Sequence, residues 1–247
     1  MPHVYITGDK HGSYKDVEQF CLRWNTSRDD LLIVLGDNGV NYWGADDRRD
    51  RKLKAYLSSL PISFYMIKGN HDQRPSSQKY HIGGENLHPL FRGSCLVENS
   101  YPSLLFAPMY GACHLLTNGK NWKKAFVLGG AYSADKWYRL RMQAEGHTGW
   151  RWFPDEQMTR WEMSEAEEML RDAEPEIILS HTCPFRHIPR DMFLPQVDQS
   201  TVDDSMERWM DGFAEVPFYK KWYCGHWHTD RAVDRMRFMY HDIIELE

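Results

Sequence analysis

The chain contains no apolar run approaching the length of a membrane span, and its start, Met1-Pro2-His3-Val4-Tyr5-Ile6-Thr7, lacks a positively charged region followed by a long apolar one. An unexported, soluble protein of a reducing cytoplasm, with no membrane partner, is therefore expected. Cysteine is scarce. Its five copies (Cys21, Cys95, Cys113, Cys183, Cys224) are odd in number and form no C-x-x-C pair, which argues against a disulfide framework and against a thiolate zinc site. There is no excess of positive charge either. A net charge of −5 gives no support to a general nucleic-acid surface, and the short runs Arg48-Arg49, Arg51-Lys52 and Lys123-Lys124 read as solvated faces. No repeat, low-complexity tract or linker divides the chain, so one domain over residues 1–247 is expected, with the oligomeric state left open.

A hydrophobic share of 42% and a charged share of 26% are those of a globular protein with a sizeable core. Ten Trp and thirteen Tyr are many for this length and point to core and cleft walls rather than a base-stacking platform. The periodicity predicts a strand over His3 to Thr7. A helix follows from Ser13 with Val17, Phe20, Cys21 and Trp24 on one face, then a strand over Leu31 to Leu35. A second helix, Asp46 to Ser59, buries Leu53, Tyr56, Leu57 and Leu60 and stops at Pro61 before a strand over Ile62 to Ile67. This β-α-β-α-β order is the signature of a parallel sheet with crossover helices.

From Gln73 to Ala131 short apolar runs such as Cys95-Leu96-Val97 and Ala125-Phe126-Val127-Leu128 predict antiparallel strands of a second sheet. Asp135 to Phe153 is helical at first and then a loop. Thr159 with Glu162 forms a capping-box pattern opening a helix with Ala166, Met169, Leu170 and Ala173 on one face. A strand over Glu176 to Ser180, a loop or lid over Pro184 to Thr201, and a helix marked by Met206, Trp209, Met210 and Phe213 follow. Strands over Trp222 to Cys224 and Arg237 to Ile244 close the chain.

On this map the polar clusters fall at the carboxyl ends of strands: Asp9 and His11, Asp37, Asn70 and His71, His181, and finally His226 and His228. The crevice beyond those ends is where open α/β sheets bind ligands, so residues far apart in sequence should meet there. Gly8, Gly36, Gly69 and Gly225 each precede a cluster, as a tight turn or close backbone approach requires. Two aspartates, one asparagine and four histidines without a thiolate suffice for two divalent ions at about four ligands each if one carboxylate bridges. Asn70 can give a neutral oxygen ligand while its neighbour His71 stays free for proton transfer.

The ordered motifs Gly8-Asp9-Lys10-His11-Gly12, Gly36-Asp37-Asn38, Gly69-Asn70-His71-Asp72, Ser180-His181 and Gly225-His226-Trp227-His228 resemble those of the calcineurin-like metallophosphoesterase superfamily along essentially the whole chain. Gly129-Gly130-Ala131-Tyr132-Ser133 and the Trp-rich stretch before Pro154 also look like a bacterial and prophage branch of it. The resemblance implies an α/β fold, two mixed β-sheets packed as a sandwich flanked by helices in four layers, α/β/β/α. It further implies two divalent metal ions, Mn²⁺ first with Fe, Zn, Ni or Mg as alternatives. Asp9, His11 and His228 would hold the first, Asn70, His181 and His226 the second, and Asp37 would bridge. A metal-bridging hydroxide would attack the phosphate ester, and His71 would protonate the leaving oxygen.

One motif departs from the pattern. Where phosphoprotein phosphatases of this kind carry Gly-Asp-x-x-Asp-Arg, this chain has Gly36-Asp37-Asn38-Gly39-Val40-Asn41, so Val40 and Asn41 fill neither the role of orienting the acid histidine nor that of gripping phosphate. Another group must support His71. Arg74, Arg139, Arg186 and His187 are the candidates for substrate binding, with Trp43, Tyr132 and Trp137 as cleft walls. The expected activity is hydrolysis of a small phosphodiester. A phosphomonoesterase or protein phosphatase is the alternative, and a nuclease or a non-catalytic metal-binding module the alternative of another class.

Overall fold

A computed structural model describes residues 1–44, 47–75, 80–83, 87–193 and 200–246. In chain order β1 (Val4–Thr7), α1 (Lys15–Trp24), β2 (Leu31–Val34), α2 (Arg48–Ser59) and β3 (Ser63–Met66) alternate as the periodicity predicts. The strands β4 (His81–Ile82), β5 (Phe91–Gly93), β6 (Leu96–Val97), β7 (Leu104–Phe106), β8 (Tyr110–Thr117) and β9 (Asn121–Leu128) follow. Then come α3 (Lys136–Ala144), α4 (Arg160–Ala173), β10 (Ile177–Ser180), α5 (Ser205–Asp211), β11 (Lys221–Cys224), β12 (Arg231–Val233), β13 (Met236–Phe238) and β14 (Ile244–Glu245).

The strands form two mixed seven-stranded sheets, ordered β14-β1-β2-β3-β7-β6-β4 and β12-β13-β11-β10-β9-β8-β5. Each has four parallel strands at its centre, β1, β2, β3 and β7 in one and β9, β10, β11 and β13 in the other, with antiparallel strands at the edges. Central parallel strands are covered on both faces and so read as continuous apolar runs. Alternate residues sort accordingly. Val4, Ile6, Leu31, Ile33, Ile177 and Leu179 fill the space between the sheets, Leu32, Val34, Val17, Cys21 and Leu57 join the outer face of the first sheet to α1 and α2, and Ile178, Trp222, Ala166, Leu170 and Met210 join that of the second to α4 and α5. The result is the four-layer α/β/β/α sandwich.

Local chemistry sets the helix ends. Asp47 caps α2 by accepting from the Arg49 N–H, α1 closes on Asn25 in the left-handed region, and both reciprocal bonds of the Thr159–Glu162 box open α4. No helix among the described residues is long and apolar enough to cross a membrane.

Four expectations need correction. Leu96–Val97 joins the first sheet rather than the second, because β7 returns to lie parallel to β3 and β6 folds back on it. The predicted strand Arg237 to Ile244 is two strands in different sheets, β13 and β14, and Asp230 secures the crossing by accepting from the N–H groups of Tyr240, His241 and Asp242. Trp24 and Met169, placed on buried faces, are 60% and 41% exposed because they sit at the margins of their helices' apolar stripes. Of the loop Pro184 to Thr201, residues 194–199 lie outside the described residues; before them the chain makes two short 3₁₀ turns at Phe185–His187 and Arg190–Met192.

Candidate metal centre

The loops after β1, β2 and β3 are laced together by backbone bonds. The N–H groups of Lys10 and His11 donate to the Asp37 carbonyl at 3.2 and 2.7 Å, and that of Gly12 donates to the Asn38 carbonyl. Asp72, whose role the sequence did not disclose, is the hub of the next pair of loops. Its buried carboxylate accepts from the N–H groups of Asn38, Gly39 and Gly69 and from the Asn38 side-chain amide, at 2.9–3.1 Å. Burial raises its pKa, as does the charge of Asp37. Close approach explains two of the glycines. A Cβ on Gly8 would meet the Met239 carbonyl oxygen at 1.9 Å, and one on Gly36, whose φ is +96°, would meet His181 Nδ1 at 2.1 Å.

The loops of the second sheet reach across to the first. His181 Nδ1 donates to the Leu35 carbonyl at 2.7 Å, and the His226 N–H donates to Asp9 Oδ1 at 2.8 Å. His11, Asp37, His226 and His228 all sit at positive φ, between 45° and 66°. Four non-glycine residues in this region at one place mark backbone held against its local preference, as functional sites commonly are.

The side chains converge. Asp9, His11 and His228 form one group and Asp9, Asp37 and His181 another, with the ligand atoms within each group no more than 4.8 Å apart. His11 Nε2 lies 3.1 Å from His228 Nε2, and the two face Asp9 Oδ2 at 3.8 and 3.2 Å. Asp37 Oδ1 is 3.6 Å from His181 Nε2, and its Oδ2 is 3.9 Å from both His11 and His71 Nε2. Asn70 Oδ1 is 2.8 Å from His181 Nε2, while the Asn70 amide nitrogen donates to Ser133 Oγ at 2.9 Å. His226 packs edge-on against His181 at 4.9 Å between ring centres.

This donor set fits cations. Because a carbonyl accepts at His181 Nδ1, its Nε2 turns toward Asn70 Oδ1, and in the neutral ring it presents a lone pair there. Asp9 Oδ2 is buried with no well-aligned donor among the described residues. Facing acceptors and an orphaned carboxylate oxygen are costly by themselves and natural around an ion. Burial would raise Asp37, but His181, His71 and His11 outweigh it and hold the carboxylate well below its usual range. Burial, reinforced by His181, pushes His226 down to about 3, so its ring stays neutral. His228 moves the other way, raised by the Asp9 carboxylate, whose Oδ2 lies 3.2 Å from its Nε2. Asp9 belongs to both groups, and Asp37 turns one oxygen toward each, so either carboxylate has the placement of a bridge.

Of the four substrate candidates, only Arg139 reaches this centre. Asp135 grips its Nε with both oxygens at 2.8 Å, Tyr42 and the Arg151 carbonyl hold one terminal nitrogen at 3.2 Å, and the other stands 3.2 Å from His71 Nε2. Arg139 thus contacts His71 as a donor toward Nε2, where the Asn70 amide nitrogen also stands at 3.2 Å. Burial lowers the pKa of His71, and Arg139 adds to that against the opposing pull of Asp37. Arg74 is instead committed to Glu162 and to the carbonyls of Asp155 and Gln157 at the start of α4. Arg186 pairs with Asp211 and Glu215 on the surface, and His187 is half-buried beside it, its Nδ1 without a partner among the described residues.

Two clefts flank the centre. One, of about 460 Å³, is lined by His11, His71, Arg139, Tyr42, Trp43 and Arg49, with Asp50, Leu53 and Trp150 beyond. The other, of about 520 Å³, is lined by His226, Tyr132, Phe185, Ile188, Phe193 and Trp227, with Arg190 and Glu207. Neither includes Arg74, Arg186, His187 or Trp137. Asp50, Trp150 and Glu207 carried no motif in the sequence, since a carboxylate or indole in a helix or loop reads as surface until the chain is folded.

The chain has no significant match among curated proteins. The calcineurin-like phosphoesterase family, however, matches residues 2–230, a span that contains every residue of this centre and all but the last strands of the two sheets. A sandwich that delivers Asp, His and Asn donors from five loops to one crevice, together with a match over most of its length, makes this chain a member of the calcineurin-like phosphoesterase family.

Proposed function

We propose that the protein hydrolyses small phosphate esters, phosphodiesters before monoesters, using two divalent ions of the Mn²⁺ type. The observation that carries this reading is the division of Asp37, one oxygen toward His181 and the other toward His11, at the meeting point of the two ligand groups. When bound, two ions would acidify a shared water and neutralise charge on the phosphoryl oxygens. The rest falls to the chain. Asp9, His11 and His228 would hold one ion and Asn70, His181 and His226 the other. His71, which is no ligand in this reading, faces the same crevice and would give a proton to the leaving oxygen. The diester preference rests on Val40 and Asn41, which offer no arginine at the position where a dianionic monoester would need one. Arg139 is the sole guanidinium among the four candidates near the centre, and it is occupied by Asp135, Tyr42 and His71.

The test pairs elemental analysis with activity on matched nitrophenyl mono- and diesters for the native chain and Asp37→Asn. Native protein should carry two ions per chain. The variant should lose at least one of them and on the order of 10⁴ in kcat, the scale of several kcal/mol of metal-assisted charge stabilisation. One tightly held ion and undiminished turnover in Asp37→Asn would end the two-metal reading, and a clear monoester preference would end the diester one.

A further inference from the structure

The cleft beside His71 carries more than a phosphate ester needs. Its walls present three planar groups: the Trp43 indole, the Arg49 guanidinium lying 3.4 Å over it and held in plane by Asp47, and the Trp150 indole, which leans edge-on against Tyr138. Tyr42 fixes this wall, because its hydroxyl donates to the Gly149 carbonyl and receives the Arg151 N–H and Arg139. Arg151 ties back to the Trp43 carbonyl at 2.6 Å. The planes therefore belong to one braced unit rather than to independent surface side chains.

The same cleft contains a carboxylate with an unused acceptor. Asp50, in the first turn of α2, is 1% exposed; its Oδ2 accepts from the Trp43 N–H at 3.0 Å, the Gly44 N–H also lies beside the carboxylate, and Oδ1 has no well-aligned hydrogen-bond partner among the described residues. A buried acceptor left empty is costly, and a ligand offering an N–H or O–H would satisfy it. Flat walls of indole and guanidinium suit a planar heteroaromatic ring. A volume of about 460 Å³ is within the usual range for a small-molecule site.

We propose that this cleft is a nucleoside site: the base stacks against the Trp43, Arg49 and Trp150 planes and donates a hydrogen bond to Asp50, which leaves its phosphate ester toward His11 and His71. The position of the phosphate rests on the phosphoesterase reading above; the base site does not. Asp50 is a specificity residue that touches the ligand and has no part in the chemistry.

Equilibrium dialysis of labelled adenosine against the intact chain, with chelator present, tests the base site apart from any hydrolysis. Adenosine should bind saturably, and purine riboside, which lacks the amino group, should bind about tenfold more weakly, the usual cost of an unpaired buried acceptor. Trp150→Ala, a change at an exposed indole that cannot disturb the core, should weaken adenosine by a similar factor. Asp50→Ala, which removes the acceptor, should erase the difference between the two nucleosides. A trinucleotide separates the two sources of a base: equal affinity to adenosine assigns the site to a free nucleotide ester, and tenfold tighter binding assigns it to the end of a strand. Absence of saturable adenosine binding, equal binding of purine riboside, or native affinity in Trp150→Ala overturns the proposal, whether or not the chain hydrolyses phosphate esters.

Discussion

The two clefts that meet at the centre are nearly equal in size and differ in chemistry. The one beside His71 is the more polar and is flat-walled, with Arg49 and Arg139 against Asp50; the one beside His226 is walled chiefly by Phe185, Ile188, Phe193 and Trp227, with Arg190, Asp204 and Glu207 at its lining. Each contains one buried carboxylate with an oxygen that has no partner among the described residues, Asp50 Oδ1 on one side and Glu207 Oε2 on the other. Their origin differs too. The first cleft is built by loops of the first sheet, laced through Asp72 and Asp37, and closed by the segment from Asp135 to Arg151. The second is built by segments following β10 and β11 and by α5. A diester has two arms, and the molecule offers two unlike places for them. The two sides of the centre therefore differ in the groups that line them.

The largest expected effect that separates the clefts is at His71. His71→Gln should retain both ions and lower kcat by roughly 10²–10⁴ for alkoxide leaving groups, and far less for nitrophenolate, which needs little protonation. Burial and Arg139 both lower the pKa of His71, so the protonated form is lost below the pH at which an ordinary imidazole loses its proton. Turnover of alkyl esters should fall as pH rises through that lowered value, and Arg139→Gln should move the fall to higher pH. An equal loss for every leaving group, with no shift in Arg139→Gln, would leave His71 a positioning role only.

The fold was legible where period and punctuation agree. β1, β2, β3 and their helices follow from apolar runs and the stop at Pro61, α4 from the Thr159–Glu162 box, and the candidate ligand residues from their places after strands. What failed involves partners distant in sequence. Nothing local tells Leu96–Val97 which sheet to join, since its neighbour β7 is chosen by pairing with β3. Nor could the pattern show that Arg74 would be claimed by Glu162, 88 positions away, while Arg139 would swing to His71, 68 positions away. Long cationic side chains take the partner that folding supplies, and spacing does not encode it.

Next in size is a difference in acid response between the clefts. Burial pushes Glu207 up to about 7, against supporting bonds from Thr182 and from its own backbone N–H, and Asp50 up to about 6 against the pull of Lys54. A carboxyl raised above its unfolded value contributes stability that is complete at low pH and lost as pH rises through the folded value. For Glu207 that window runs from its ordinary 4.5 to about 7. Glu207→Gln, which is neutral throughout, should match the native chain at pH near 4 and exceed it by up to about 3 kcal/mol above pH 8 in denaturant titrations. A constant difference across pH would show that Glu207 is ionised in the fold and that the second cleft is as polar as the first.

The smallest effect is expected outside both clefts, at Arg186. Sequence order placed it with His187 in a lid facing the phosphate, yet it pairs with Asp211 at 3.3 Å and Glu215 at 2.9 Å, and all three side chains are substantially in contact with solvent. Exposed pairs of this kind contribute about 0–1 kcal/mol, so Arg186→Ala should shift Tm slightly and leave KM for mono- and diesters alike. Arg190, four residues on, lines the second cleft with its guanidinium 4.3 Å from the Phe185 ring. Arg190→Ala should raise KM for a diester and leave the matched monoester unchanged, since only the diester has a second arm to meet that wall. A KM effect from Arg186 in place of Arg190 would return the lid to the phosphate and remove the second cleft from substrate binding.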